Sequence, residues 1–135
     1  MSDRPLRILI CEDDEPLATL VTETLAADGR FDVVARATSG DEAIRLAEEH
    51  APDVVLMDIG MPGLDGIDAT RAIRQRDGAQ HVVIYTGSDA YDDVGRADAA
   101  GAAGFLHKEA LTSPDLADAI QVLHANFVGA GTDPD

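Results

Sequence analysis

Basic residues are scarce in this sequence. Only 10 of its 135 residues are Lys or Arg, against 26 Asp or Glu, which gives a formal net charge of −16. A surface this negative repels a phosphate backbone, so we expect no direct nucleic-acid binding by this chain. Its single cysteine, Cys11, leaves no partner for an internal disulfide. No apolar run approaches the ~20 residues that a bilayer-spanning helix requires, so we expect no membrane association.

Aromatic residues are also scarce, at 4% with no Trp, so the core must be built from Val, Ile, Leu and Ala. The first residues, Met-Ser-Asp-Arg-Pro, lead directly into a short apolar strand instead of a signal peptide, which predicts a cytoplasmic protein. The length is that of one domain, since domains most often have ~100–150 residues. Apolar residues at 45% and charged residues at 27% are ordinary proportions for a folded domain.

Five short apolar runs predict five β-strands. They are Ile8–Cys11, Phe31–Ala37, Val54–Met57, Val82–Tyr85 and Phe105–Leu106. The first, third and fourth runs are continuously apolar, which is typical of strands that helices cover on both faces. Segments with helical periodicity separate the runs. The alternation predicts an α/β fold, a (βα)5 doubly wound parallel sheet with the flavodoxin-like strand order 2-1-3-4-5.

The last two predicted helices differ in strength. The fourth, over Asp89–Ala100, has Val94 as its only large aliphatic residue, and we expect it to be the most mobile element. The fifth is strongly amphipathic and is predicted to begin with Ser113 as its cap and Pro114 at the first helical position. We place the domain at residues 1–127, with 128–135 as a flexible tail or the start of a linker.

Polar side chains follow four of the five strands at their carboxyl ends. Glu12 and Asp13 follow the first strand, Asp58 the third and Thr86 the fourth, while Lys108, the only lysine in the chain, follows the fifth. Because the first and third strands are neighbours in the expected order, the three carboxylates should converge. Two unit charges ~4 Å apart repel by about 4 kcal/mol at an effective dielectric of ~20, so the cluster needs a cation or a proton. An all-oxygen site of this kind suits Mg²⁺.

Four segments, in this order and spacing, carry a resemblance to a known family. They are Arg7–Leu17, Asp53–Gly66, Val82–Gly87 and Ala100–Lys108. Over residues 6–127 the chain resembles the receiver domain of two-component response regulators. The run that begins at Ala100 is similar to receivers that precede helix-turn-helix output domains, which implies a transcription regulator.

The resemblance assigns roles to individual residues. It implies that Asp58 is the phosphoacceptor, that Thr86 and Lys108 contact the phosphoryl group, and that Phe105 is an aromatic switch residue. The Mg²⁺ ligands it implies are Glu12, Asp13, Asp58 and the main-chain carbonyl of Gly60.

It also implies a signalling domain, not an enzyme, which assists its own phosphorylation and dephosphorylation. The implied partner is a histidine kinase or a phosphotransfer protein, and phosphorylation is implied to favour a homodimer.

The sequence departs from the family pattern at two positions. Glu109 follows the lysine where receivers commonly have Pro, so we expect the loop after the fifth strand to take another path. Gly87 stands where a small Ala is usual, which leaves more room above Asp58.

Three other functions fit the sequence less well than this one. Aspartyl-phosphate phosphatases carry Asp-x-Asp, but Gly60 stands at the second position here. A receiver-like domain used only for binding would not need the five polar residues that follow the strands. A nucleotide-binding Rossmann domain would have Gly-x-Gly-x-x-Gly after its first strand, and this chain does not.

Overall fold

A computed structural model describes residues 4–87 and 91–131. For residues 91–92 and 126–131 it describes the backbone only. One parallel five-stranded sheet forms the centre of the fold. Its strands are β1 (Leu6–Cys11), β2 (Phe31–Ala37), β3 (Val54–Asp58), β4 (His81–Thr86) and β5 (Gly104–His107). They lie in the order β2-β1-β3-β4-β5, which confirms the predicted fold class and strand order.

Five α-helices connect and cover the strands. They are α1 (Glu15–Asp28), α2 (Gly40–His50), α3 (Gly66–Arg76), α4 (Tyr91–Ala99) and α5 (Leu116–Gly131). None of the helices in the described part of the chain is both long and apolar enough to cross a membrane.

Both faces of the sheet are buried, which explains the continuously apolar strands. Side chains alternate between the two faces along a strand. Val55 and Met57 of β3 therefore pack with α2, α3 and α4, whereas Val54 and Leu56 pack on the other face with α1 and α5. Away from its ends, a strand with helices on both sides has no position at which a polar side chain reaches water.

The fifth helix differs from its predicted start. After β5 the chain forms a 3-10 helix, Lys108–Thr112, and α5 begins only at Leu116. Ser113 closes the 3-10 helix through its N–H, and its hydroxyl oxygen accepts a hydrogen bond from the N–H of Asp115 in the turn that follows. The predicted start at Pro114 is therefore wrong. Ser113 and Pro114 belong to the turn before α5, and the helix begins two residues later, at Leu116.

At its other end α5 continues to Gly131, into residues 128–135, where the sequence analysis places a flexible tail or the start of a linker. Extending a helix that has already formed adds one hydrogen bond per residue fixed, so the glycines here do not stop it. Residues 132–135 of the predicted tail lie outside the described part of the chain, as does the side chain of Phe127.

The described side chains of the fourth helix make few buried apolar contacts, as its sequence predicts. Its start at Asp89 lies outside the described residues, and the helix is described from Tyr91. Among its described side chains only Ala97 is buried, and Val94 is 47% exposed. The described side chains of α4 therefore bury little apolar area against the sheet.

Candidate functional site

The carboxylates that follow β1 and β3 converge, as predicted. Cys11 at the end of β1 lies opposite Met57 in the register of the two strands, which brings the residues after Cys11 beside Asp58. Carboxylate oxygens of Glu12, Asp13 and Asp58 all lie within 4.8 Å of one another. The three come from two separate segments that only the sheet places together.

Asp58 is 6% exposed at the end of β3, and its Oδ1 accepts a hydrogen bond of 3.0 Å from the N–H of Gly60. Burial raises the pKa of its carboxyl, and the charges of Glu12 and Asp13 raise it further. The bond from Gly60 and the charge of Lys108 act in the opposite direction on the same pKa. Additional positive charge at this site would therefore favour the ionised form of Asp58.

Glu12 and Asp13 differ sharply in their surroundings. The side chain of Asp13 is exposed, whereas Glu12 is only 1% exposed. One oxygen of Glu12, Oε2, accepts a hydrogen bond of 3.0 Å from the N–H of Asp14. The other, Oε1, accepts a bond of 2.7 Å from the hydroxyl of Tyr85. Glu12 is thus held from inside the protein, and Asp13 approaches the cluster from the solvent side.

Tyr85 is a residue of the site that the sequence analysis did not single out. It lies opposite Asp58 in the β3–β4 register and is 1% exposed. Its hydroxyl donates to Glu12 and also lies 3.1 Å from the main-chain oxygen of Cys11. A Tyr directly after the buried aliphatic run Val82–Ile84 is the signal that was available, because a buried phenol needs a hydrogen-bond partner.

Thr86 and Lys108 stand at the same edge of the sheet as the carboxylates. Thr86 is the last residue of β4 and is 6% exposed, and Lys108 follows directly after β5. Both line a pocket of about 310 Å³ together with Gly87, His107 and Glu109. A methyl group on Gly87 would meet Lys108 Cδ at 3.6 Å, an ordinary contact, so the gain in room from glycine is small.

Phe105 lies farther along the same surface. Its half-buried ring packs against the core under α4 and lines a pocket of about 200 Å³ with Val94 and Ala97. The ring also meets His107 edge-on, with centroids 6.4 Å apart. A change in the position of the ring would therefore alter the packing beside α4.

The donor set fits Mg²⁺ in its chemistry. The clustered side-chain ligands are all carboxylate oxygens, which Mg²⁺ prefers, and soft or nitrogen donors are absent from the cluster. Cys11 is adjacent in sequence, but it is buried and burial strongly raises the pKa of its thiol, so it remains an inert core residue.

Comparison with known families matches residues 8–121 to the response regulator receiver domain. The transcriptional regulatory protein PdtaR of Mycobacterium tuberculosis is 40% identical over 91% of this chain and 58% of its own length. The chemotaxis protein CheY of Halobacterium salinarum is 34% identical over 84% of this chain and 92% of its own length.

Among solved structures, the signal receiver domain of the response regulator NarL from Mycobacterium tuberculosis superposes with a TM-score of 0.85. It is 30% identical, and the match covers 90% of this chain and 98% of that domain. The chain therefore spans little more than half the length of PdtaR and almost the whole of the solved NarL receiver domain.

Proposed function

The chain belongs to the response regulator receiver domain family of two-component systems, and from that premise we propose that it is a Mg²⁺-dependent phosphoacceptor with Asp58 as its nucleophile. The observation that carries this proposal is the convergence of Glu12, Asp13 and Asp58, whose oxygens lie within 4.8 Å of one another. Asp58 is the nucleophile of this proposal because it ends a buried strand and its carboxylate still faces the cluster.

The donor is a phosphohistidine on a histidine kinase or a phosphotransfer protein, or a small acyl phosphate. A carboxylate oxygen of Asp58 attacks phosphorus in line, and the bond from phosphorus to the imidazole nitrogen breaks. The electron pair of that bond stays on the imidazole, which then takes up a proton. The product is an aspartyl phosphate, an activated acyl phosphate.

Catalysis by this chain consists of positioning and charge neutralisation. Lys108 brings an ammonium and Thr86 a hydroxyl donor to the oxygens of the transferred group. Glu12, Asp13, Asp58 and the carbonyl of Gly60 would hold Mg²⁺, which, when bound, neutralises charge on the phosphoryl oxygens. The compact, flexible head of Lys108 can approach one phosphoryl oxygen as a point charge.

The output follows from contacts that exist only after phosphorylation. Thr86 moves toward the new phosphoryl oxygens, and Phe105 turns inward into the space that this movement leaves. Phe105 borders α4, whose described side chains bury little apolar area. The face formed by α4, β5 and α5 thereby changes for a partner, a second copy or an output domain. The chain's charge of −16 assigns any DNA contact to that partner or domain.

Acetyl phosphate labelling with intact-mass analysis tests the proposal. We expect one phosphoryl group per chain in the presence of Mg²⁺ and none when the metal is removed with EDTA. Asp58→Asn should abolish labelling, and Asp32→Asn, which removes an exposed carboxylate on β2, should not. Mg²⁺-dependent labelling of Asp58→Asn at the wild-type level would contradict the assignment. Sustained turnover of an added phosphate monoester would instead support a phosphatase.

A further inference from the structure

We propose that Tyr85 is a positioning residue for the metal site and that its hydroxyl holds the Glu12 carboxylate in the orientation that Mg²⁺ requires. This inference rests on the proposed function, because it gives a role to a group that touches one of the assigned Mg²⁺ ligands. Tyr85 itself touches neither the phosphoryl group nor the metal.

The first support is geometric. The Tyr85 hydroxyl lies 2.7 Å from Glu12 Oε1 and 3.1 Å from the main-chain oxygen of Cys11. A phenol has one proton to donate, and the shorter of the two contacts goes to the carboxylate. If the hydroxyl needed only a partner for its own burial, the main-chain oxygen of Cys11 would supply one.

The second support is the isolation of Glu12 from water. At 1% exposure its carboxylate has lost its hydration, so the protein must supply the hydrogen bonds that water would have made. Asp14 supplies one through its N–H to Oε2, and Tyr85 supplies the other to Oε1. With a donor on each oxygen the carboxylate plane is fixed.

The third support is the position of Tyr85 in the sheet. It is paired with Asp58 in the register of β3 and β4, while its side chain reaches across to the end of β1. One residue thus links the strand that carries the phosphoacceptor to the acidic pair. Groups that orient metal ligands from behind commonly change metal affinity about 10–100-fold when they are removed.

Tyr85→Phe in the full chain tests the proposal, because it removes one oxygen and keeps the buried ring. Mg²⁺ affinity is measured by isothermal titration, and stability by urea unfolding in EDTA. We expect the Mg²⁺ Kd to rise about tenfold, the lower end of that range. A Kd within about twofold of the wild-type value would overturn the role of Tyr85.

A matched control separates positioning from stability. Gln80 Nε2 donates a buried hydrogen bond to the main-chain oxygen of Ala47, just before the other end of β4. Gln80→Ala removes this bond and leaves a cavity, so it should lower the urea midpoint and leave the Mg²⁺ Kd unchanged. If Gln80→Ala weakens Mg²⁺ binding as much as Tyr85→Phe does, the effect reflects general stability and the proposal fails.

A double-mutant cycle with Glu12→Gln identifies the acceptor through which Tyr85 acts. In the Glu12→Gln background, Tyr85→Phe should change the Kd by less than about twofold. An undiminished effect there would overturn the route through Glu12. Wild-type protein that binds no Mg²⁺ would overturn the proposed function itself, whereas binding that Tyr85→Phe leaves intact overturns only this inference.

A measurement on the wild-type chain covers the case in which Tyr85→Phe does not fold. The ring resonances of Tyr85 are followed by NMR during a Mg²⁺ titration. We expect them to shift with the same Kd as the calorimetric titration. Resonances that stay unmoved through saturation would overturn the link between Tyr85 and the metal site.

Discussion

The Nδ1 atoms of His81 and His124 lie 2.9 Å apart and join the start of β4 to α5. Their ring centroids are 4.7 Å apart. This contact lies at the edge of the sheet opposite to Asp58, since β3 and β4 run parallel and His81 begins the strand whose partner ends at Asp58. A hydrogen bond between two imidazoles needs one ring nitrogen as donor and one as acceptor, so at least one ring must be neutral.

This contact predicts a loss of stability in mild acid. Burial, together with the positive charges of His124 and Arg74, lowers the pKa of His81 from 6.5 to about 4, against the opposite effect of Asp53. Burial also lowers the pKa of His124, with Asp53 again opposing. The unfolded chain therefore binds more protons than the folded chain between about pH 6.5 and about pH 4. The contribution of the neutral pair is complete above that window and is lost as the pH falls through it.

Urea unfolding in EDTA at about pH 7.5 and about pH 5 measures the effect. The wild-type midpoint should fall with the pH, and His124→Gln should reduce that fall. The raised pKa of Asp58 acts with the opposite sign, but it is common to both proteins and cancels in the comparison. Identical pH dependence in the two proteins would show that the pair does not titrate on unfolding.

Lys108→Arg should impair phosphorylation although it keeps the positive charge. The planar guanidinium takes a bidentate partner, whereas the pocket of about 310 Å³ beside Thr86 suits a compact ammonium. Initial rates of acetyl phosphate labelling, followed by intact mass, measure the effect. The reverse exchange at an exposed site, Arg45→Lys on α2, is the control and should leave the rate unchanged. Wild-type rates in Lys108→Arg would mean that Lys108 is a surface residue only.

Gly66→Ala should destabilise the protein and disturb the site together. A Cβ at Gly66 would lie 2.3 Å from the main-chain oxygen of Asp58 and 2.9 Å from Ile59 Cα, and these backbone atoms cannot rotate away. We expect a loss of about 1–3 kcal/mol in the free energy of unfolding, as for other overpacked sites. Thermal and urea unfolding measure it, and Mg²⁺ titration shows the effect on the carboxylates.

Gly95→Ala provides the matched comparison for Gly66→Ala. Among the described residues, no atom outside its chain neighbours and its own helix backbone lies within 4 Å of a Cβ built on Gly95 in α4. The same change there should therefore stabilise by about 0.5–1 kcal/mol through helix propensity. If Gly66→Ala is no worse than Gly95→Ala, the backbone around Asp58 yields more easily than this geometry indicates.

Thr86→Ala should uncouple the site from α4. Beryllofluoride with Mg²⁺ mimics the phosphorylated state and should change amide exchange more in residues 86–110 than in residues 16–50. Removing the Thr86 hydroxyl should shrink that difference while Mg²⁺ binding persists, because the carboxylates belong to other strands. Thr24→Ala on α1 is the control. Equal exchange changes in both regions, or an unaltered response in Thr86→Ala, would exclude this route.

Much of the fold and of the carboxylate cluster could be predicted from local patterns. The continuously apolar run at Val54–Met57 requires cover on both faces, which only a sheet between two helical layers supplies. Once the strands are parallel, the residues just beyond their carboxyl ends share one edge. The convergence of Glu12, Asp13 and Asp58 follows from that rule together with the strand order.

The limits of α5 could not be predicted in the same way. Ser113 followed by Pro114 is a typical helix start, and the sequence does not reveal that the preceding residues form a 3-10 helix ending at Thr112. The conformation of that segment depends on the packing of Leu111, which is buried in the core beside α5. Local preference and tertiary packing compete there, and packing decides.

By itself the sequence determined the layers of the fold, the edge that holds the polar residues and the chemical character of those residues. Only the tertiary structure decided which side chains meet, at that edge and at the opposite one. Tyr85 and Glu12 are 73 residues apart, and His81 and His124 are 43 residues apart. Periodicity determines the face on which a side chain lies, but contact at 2.7 Å or 2.9 Å depends on rotamers and on where each strand end and helix rests. Those positions are set by the packing of the whole core at once.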